Sequence, residues 1–513
     1  VLRLSPLPLA LLILLPACSG RGESTLYASD ANLLLGTGPS LAPATAPMDG
    51  YLFIAPLKSR FSYLLDGEGK ELHSWESAYF PGAGTRLMED GSIMRCGRLI
   101  DPPSFVAGGQ GGRIQRIAWD GTLVWDFEFA STEHLHHHDA MPMPNGHVLL
   151  IAWEIHTAEE ALARGRDPEL QKDAEFWPDW ILEVAPEGAT GGNIVWEWHA
   201  WDHMIQDRDP ALALFGSVAD NPHRIDVNGD RDPVEKSDAE KAAEAAAMAA
   251  VGYAGDAPPP PPKDGPPPGG PPLDGPPPGG DPPPGAPGRE ADWMHTNAIV
   301  YHADLDLIAI SVRRFSEAWV IDHSTTTAEA ATGAGGRHGR GGDLLYRWGN
   351  PRAHKGGGND DQILFKQHHV QWIPNGFPGG GNLLCFNNGD GRPAGKWSSV
   401  EEWRMPIDAA GRISAGPVTP DWSWKAAEPE SFYSGFISGV ERLPNGSTLI
   451  TEGISGRLLE VASDGSLVWE WSNPFGGEEE PTDTGPSARV PPKALFRASK
   501  LPLDHPVAAR IGR

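Results

Sequence analysis

The chain has 513 residues, 40% of them hydrophobic and 19 of them tryptophan, so it can bury a large core despite its 62 glycines and 51 prolines. A formal net charge of −27 excludes a general nucleic-acid surface and adhesion to an anionic membrane, because either partner would be repelled. A small anionic substrate would need a locally basic pocket, which histidine and arginine can line.

Residues 1–18 read as a lipoprotein-type signal peptide. Val1-Leu2-Arg3 forms the charged end, Leu7 to Leu15 an apolar run too short to span a bilayer, and Leu15-Pro16-Ala17-Cys18 a lipidation site at Cys18. The expectation is export to the periplasm or cell envelope, with the lipid on Cys18 as the membrane attachment; plain export is the alternative. Residues 19–47 are a linker to a domain spanning 48–513.

Along that domain a short strand carrying tryptophan follows a glycine-containing turn six times: Glu71 to Trp75, Leu123 to Phe127, Ile194 to Trp198, Leu344 to Trp348, Asp421 to Trp424 and Leu467 to Trp471. A turn opening an apolar strand precedes it at Glu89-Asp90-Gly91, Pro144-Asn145-Gly146, Pro374-Asn375-Gly376 and Pro444-Asn445-Gly446, and His302 to Asp306 fills that role in the fourth repeat. Alternating apolar and polar residues predict half-buried strands, and six such repeats predict an all-β, six-bladed β-propeller. The first repeat, Tyr51 to Trp75, lacks an opening strand. Ala494 to Ala498 can provide it, closing the ring and removing a sheet edge.

Residues 203–290 are an insertion, most simply a solvated loop. A polar segment is followed by the Ala-rich stretch Ala239 to Ala250 and by Pro/Gly repeats from Ala257 to Gly288, which cannot bury enough surface to fold and are expected to be disordered. A proline-rich ligand for a partner is the alternative reading of the repeats. Asp226-Val227-Asn228-Gly229-Asp230-Arg231-Asp232 has calcium-like spacing without the bidentate glutamate at the twelfth position. Cys96 and Cys385 fall in the second and fifth blades, on opposite sides of a ring, and are expected to be separate buried thiols.

Three histidine stations carry the chemistry: His136-His137-His138-Asp139, Asp292-Trp293-Met294-His295-Thr296-Asn297, and Gln367-His368-His369. His138 and His368 each precede their turn glycine by eight residues, as Ser438 does in the last blade, and His295 opens the fourth blade. Residues starting the innermost strands of a propeller line one mouth of its channel, so the three imidazoles should converge. A lone histidine is more often structural. That reading is kept for His147, His156, His199, His203, His323 and His338. Arg313, in Ser311-Val312-Arg313-Arg314, ends the excursion that begins after His295. A guanidinium suits a tetrahedral oxyanion and is a poor neighbour for zinc, which tilts the cluster toward a sulfate- or phosphate-like group. An inter-blade ion pair is the bland alternative for Arg313.

The segments His137-His138-Asp139, Trp196-Glu197-Trp198-His199-Ala200-Trp201-Asp202-His203, Asp292 to Asn297, Ser311-Val312-Arg313, Gln367-His368 and Phe386-Asn387-Asn388-Gly389 together closely resemble the bacterial aryl-sulfate sulfotransferases, from about Met48 to the C-terminus without the insertion. The resemblance implies a six-bladed propeller with a central active site and periplasmic placement. It also implies ping-pong transfer of a sulfo group from a phenolic sulfate donor to a phenol acceptor through a sulfohistidine, with no nucleotide donor, metal or other cofactor. By the same resemblance His368 is the nucleophile, His138 and His295 contact the sulfate and the bridging oxygen, Arg313 holds the equatorial oxygens, and His137 and Asn297 complete the substrate-binding set. Two departures stand out: His369 replaces the family's usual aspartate, and the separate N-terminal β-domain of the best-known members is not apparent. The competing readings are a non-catalytic propeller binding a sulfated or phenolic ligand, and a His-cluster metal-dependent hydrolase or lyase. No Cys-x-Pro-x-Arg sequence suggests a formylglycine sulfatase, and no Gly-rich loop opens a helix to cradle a nucleotide phosphate.

Overall fold

The repeated tryptophan strands all take the same place, as the outermost strand of a four-stranded antiparallel set. In the computed structural model, which describes residues 46–231, 291–408, 411–414, 419–478 and 490–511, the strands form a propeller-like all-β arrangement. The signal peptide with Cys18, residues 19–45 of the linker, the Ala-rich stretch and the Pro/Gly repeats lie outside the described residues. One sheet joins Leu495–Pro502, Gly50–Pro56, Phe61–Leu65 and Glu71–Glu76 in that order. The C-terminal strand therefore pairs with the first described one, from Gly50 opposite Pro502 to Pro56 opposite Leu495.

An eight-stranded sheet follows, made of two quartets. Pro81–Leu87, Ile93–Arg98, Gly112–Ile117 and Leu123–Glu128 form one; His134–Pro142, Val148–Glu154, Asp179–Glu187 and Gly191–His199 form the other. A single parallel pairing, Ala83 opposite His138, joins their innermost strands. Three further quartets complete the chain: Thr296–His302, Leu307–Val312, Glu317–Asp322 and Tyr346–Trp348; His368–Trp372, Leu383–Asn387, Ser399–Trp403 and Trp422–Trp424; and Gly439–Arg442, Thr448–Glu452, Arg457–Val461 and Leu467–Ser472.

The tryptophans explain why the repeat recurs. On three outer strands the indole Nε1–H reaches a carbonyl of the next quartet: Trp125 to Gly191 at 2.8 Å, Trp198 to Gly342 at 2.7 Å and Trp424 to Gly465 at 3.1 Å. Each ring thus buries a large apolar face between sheets while its polar edge is satisfied. Apolar clusters accordingly mix neighbouring quartets, as where Leu307 and Val320 meet Val370, Leu383 and Trp403. Cys96 and Cys385 are free and buried in two different clusters.

The first part of the insertion differs from a solvated loop. Met204–Ile205 pairs in parallel with Ile225–Asp226, and Met204, Ile225 and Val227 pack with Trp293 and Phe315 in a core cluster. The calcium-like spacing there serves a turn instead: Asp226 Oδ1 accepts the Asn228 N–H at 2.9 Å, and Arg166 grips both oxygens of Asp230 at 2.5 and 2.8 Å. Two of its carboxylates are thus already occupied by protein donors.

Candidate active site

The innermost strands start irregularly, and that irregularity aims the imidazoles. Pairing slips between His136 and Ala140, between Thr296 and Ala298, and between His368 and Gln371, so each strand is irregular at its histidine or just after it. His138, His295 and His369 have φ of 55°, 54° and 54°. Left-handed backbone is uncommon for such residues and concentrates where geometry serves function.

His138 and His295 meet ring to ring, with centroids 4.6 Å apart and planes at 72°. Behind His138, its Nδ1 lies 2.8 Å from His137 Nδ1, so one of the two carries a shared proton, and His137 Nε2 faces Asp179 Oδ1 at 3.2 Å. His137 is held flat by stacking on Trp153 at 4.1 Å. Trp153 Nε1–H in turn donates to Asp292 Oδ1 at 3.0 Å, and Asp292 Oδ2 receives the Nδ1–H of His295 at 2.5 Å. Two carboxylate-backed imidazole chains, Asp179–His137–His138 and Asp292–His295, thus converge, an arrangement that fixes tautomer and ring orientation.

His368 uses both ring nitrogens. Its Nδ1–H donates to Asn388 Oδ1 at 2.7 Å, and Nε2 accepts the Ile437 N–H at 3.2 Å. The Phe496 ring lies 6.3 Å from His138 and 6.4 Å from His368, centroid to centroid, so all three sit around one space. The backbone N–H of Arg313 donates to His295 O at 3.3 Å, and its guanidinium reaches Asp390 Oδ2 at 3.3 Å. His138, His295, His368 and Arg313 are therefore brought together.

His137 and Asn297 stand one layer back. Asn297 Nδ2–H donates to Gln367 O at 2.8 Å and its Oδ1 accepts the His369 N–H at 3.4 Å, gripping the backbone on both sides of His368. His369 turns to the next sheet, where Nδ1 accepts the Val440 N–H at 3.0 Å. Asp139 does the same at the matching position, accepting the Ile299 N–H at 3.2 Å. Histidine in place of an aspartate here preserves an acceptor between sheets, while the tautomer of His368 is set by Asn388. Asp179, Asn388, Ile437, Trp153 and Phe496 were not anticipated as site residues. Asn388 stood inside a recognised motif, whereas Asp179 carries no local signal.

Burial dominates the electrostatics. It pushes His368 down to about 3, helped by the Arg313 charge, and holds His138 and His295 well below the ordinary histidine value, helped by neighbouring imidazoles and by Arg313 and Arg314 respectively. All three are neutral at neutral pH, as a nucleophilic imidazole must be. In the unfolded chain they would protonate near 6.5. Below that pH the unfolded state binds more protons than the native one, so stability falls as pH falls, by up to roughly 1.4 kcal/mol per pH unit for each such histidine until its folded pKa is reached. The thermal midpoint should therefore drop steadily from pH 7 to pH 5; a level profile over that range would contradict neutral burial.

An open cleft reaches the imidazoles through Gly109, which packs on the His138 ring, Ile437, whose N–H caps His368, and Phe496, which faces both. Leu57, Pro81, Ala83, Ala107, Ile437 and Phe496 give it apolar walls. Gly109 lines it too, with φ +79° and its Cα so close to the His138 ring that a Cβ would lie 2.0 Å from Cε1. Gly109→Ala should displace His138 and lower turnover by roughly 100-fold, the scale of a 1 Å misplacement, and should lower the thermal midpoint as well, because alanine is strained at this positive φ against a buried ring; wild-type turnover would show that His138 tolerates the shift. Among the described residues no group of three or more His, Cys, Asp or Glu side chains is arranged to hold a metal ion.

Against known proteins, the arylsulfotransferase (ASST) family model matches residues 73–470. No curated protein matches the chain. Among solved structures, a protein of unknown function from Bacteroides caccae is similar at 10% identity and TM-score 0.41, covering 88% of this chain and 99% of that one. A functionally unknown protein from Desulfotomaculum acetoxidans gives 8% and 0.35, covering 82% and 95%. Virginiamycin B lyase from Staphylococcus aureus gives 10% and 0.34, covering 86% of each chain. Likeness at these TM-scores carries no weight for function. The family match spans most of the sequence and takes in all three histidine stations, and on that basis the chain belongs to the arylsulfotransferase family.

Proposed function

We propose that the protein moves a sulfo group from a phenolic sulfate ester to a phenol in two displacements, through a sulfated His368. The observation that carries this reading is a neutral, buried imidazole whose Nδ1–H is fixed on Asn388, beside two further imidazoles, one guanidinium and an apolar cavity. His368 Nε2 attacks sulfur in line, the S–O bond breaks, and its electron pair stays on the phenolate oxygen. That oxygen takes a proton from His138 Nε2 as His138 Nδ1 receives one from His137 Nδ1; a second proton is shared between His137 Nε2 and Asp179 Oδ1, so that pair is left as neutral imidazole and carboxylate. The acceptor phenol returns the proton along the same chain, its oxygen attacks sulfur, and the N–S bond breaks. Arg313 offsets charge on the sulfo oxygens, His295 on Asp292 faces the bridging oxygen, and the apolar cavity takes the aryl ring. His137 and Asn297 act at one remove, by orienting His138 and the strand that carries His368.

The reading also takes the eight-stranded sheet as two blades, which makes six with the four quartets, and the strand Leu495–Pro502 as the closure of the ring. Placement in the periplasm or cell envelope, anchored through Cys18, rests on the signal-like leader. The test is intact-mass measurement after incubation with a chromogenic aryl sulfate, with and without a phenol. One added sulfo group with donor alone, removed by the phenol, is expected. Turnover without any such adduct would rule out the two-step route, and absence of both would rule out the activity.

A further inference from the structure

Asn388 closes a ring of hydrogen bonds that the reaction scheme above leaves unexplained. Its Nδ2–H group donates to two backbone carbonyls, Ser434 O at 2.7 Å and Ile437 O at 2.9 Å. Two acceptors on one side admit only the amino end of the amide, so Oδ1 must face His368 Nδ1, which lies 2.7 Å away and must carry the proton. The same Ile437 peptide then sends its N–H to His368 Nε2 at 3.2 Å. Ile437 and Ser438 hold this turn at φ 47° and 90°, and a β-branched residue at positive φ is a true outlier. The turn is over-determined: Ser438 Oγ–H donates to Ser434 Oγ at 2.8 Å, and Gly453 N–H donates to Ser438 Oγ at 2.9 Å. Asn388 itself is fully buried.

We infer that Asn388 is a positioning residue that presents Nε2 of His368 to sulfur and, because an amide cannot take a proton, keeps the sulfated imidazole reactive. When Nε2 bonds to sulfur and the S–O bond breaks, the ring retains its Nδ1–H and becomes an N-sulfo imidazolium. Asn388 Oδ1 accepts that N–H without removing the proton. The ring therefore leaves as neutral imidazole when phenol oxygen attacks, and no proton need move at His368 in either step. A carboxylate at the same place could draw the proton off, leaving a neutral N-sulfo imidazole that is a poorer leaving group. The Ile437 N–H that caps Nε2 at rest is released as sulfur arrives and lies beside the sulfo oxygens.

This rests on the sulfotransferase reading, so the experiment first asks whether wild-type protein takes up one sulfo group from 4-nitrophenyl sulfate alone. If it does not, that reading fails before the role of Asn388 is reached. If it does, uptake and subsequent discharge to phenol are timed separately in Asn388→Asp and Asn388→Ala. N388D should slow discharge roughly tenfold or more relative to uptake, so that the sulfated protein accumulates during turnover. N388A, with no acceptor for Nδ1–H, should slow uptake roughly 10- to 100-fold with little change in KM, the usual loss when the partner orienting a functional histidine is removed. Equal slowing of both steps in both variants, as a purely structural role predicts, would overturn the inference, and so would an unchanged ratio of the two rates. If N388D does not fold, the uptake rate and KM of N388A decide alone.

Discussion

Replacing His368 by alanine should abolish sulfo uptake and lower aryl-sulfate turnover by at least about 10⁴-fold, the order seen when a nucleophile is removed from a preorganised site. The ring is fully buried, so alanine leaves a small void, yet its two hydrogen bonds run to Asn388 and Ile437, which also hold one another. The fold should survive. His369→Ala offers the contrast within the same pair: its ring faces the Val440 N–H, so its loss leaves a buried donor unmet, costing about 1–3 kcal/mol of stability, and leaves sulfo uptake near wild type. Measuring adduct by intact mass and stability by thermal melting on both variants separates the roles. Full turnover by the first, or loss of the adduct in the second, would reverse the assignment of nucleophile.

Truncation after Pro492 should be nearly as severe, through stability. The lost segment carries Leu495, Phe496, Ala498 and Val507, all buried, and burying a large apolar side chain contributes about 1.5–3 kcal/mol. It also removes Arg497, within 2.5 Å of Asp139 Oδ1, and Lys500, whose Nζ–H donates to the buried Glu460 at 2.6 Å. A buried carboxylate deprived of its cation costs several kcal/mol more. The sum is on the order of 10 kcal/mol, comparable with the whole stability of a domain. The truncated chain should be insoluble or lack a cooperative melt near that of the full chain. A normal melt would mean that Gly50–Pro56 does not need its C-terminal partner.

What could be read from residues alone was what repeats. Tryptophan strands and turn glycines recur because each quartet solves the same packing problem, and counting back from those glycines puts His138 and His368 at matched positions. Partners far apart along the chain were opaque, even within one quartet. Asp179 sits at the head of a third strand, far along the chain from His137, and nothing local marks it as an imidazole partner. Backbone groups were equally silent: the Ile437 N–H matters through its direction, which depends on a positive φ that isoleucine does not advertise. The segment after His203 misled through its polar composition, since its few apolar residues, Met204, Ile225 and Val227, are the ones that dock. In the fifth quartet of the chain, Pro374-Asn375-Gly376 does not open its strand directly; a further turn, with Gly380 N–H bonded to Phe377 O, delays it to Leu383.

The single parallel pairing between Ala83 and His138 has a mechanical consequence. The seam between the two quartets runs through the main chain of a residue in the proposed reaction centre and through an apolar cluster that both quartets share, so slippage of one quartet against the other rotates that imidazole as it shears the layer. Catalytic competence and the integrity of this junction should therefore be lost together on warming.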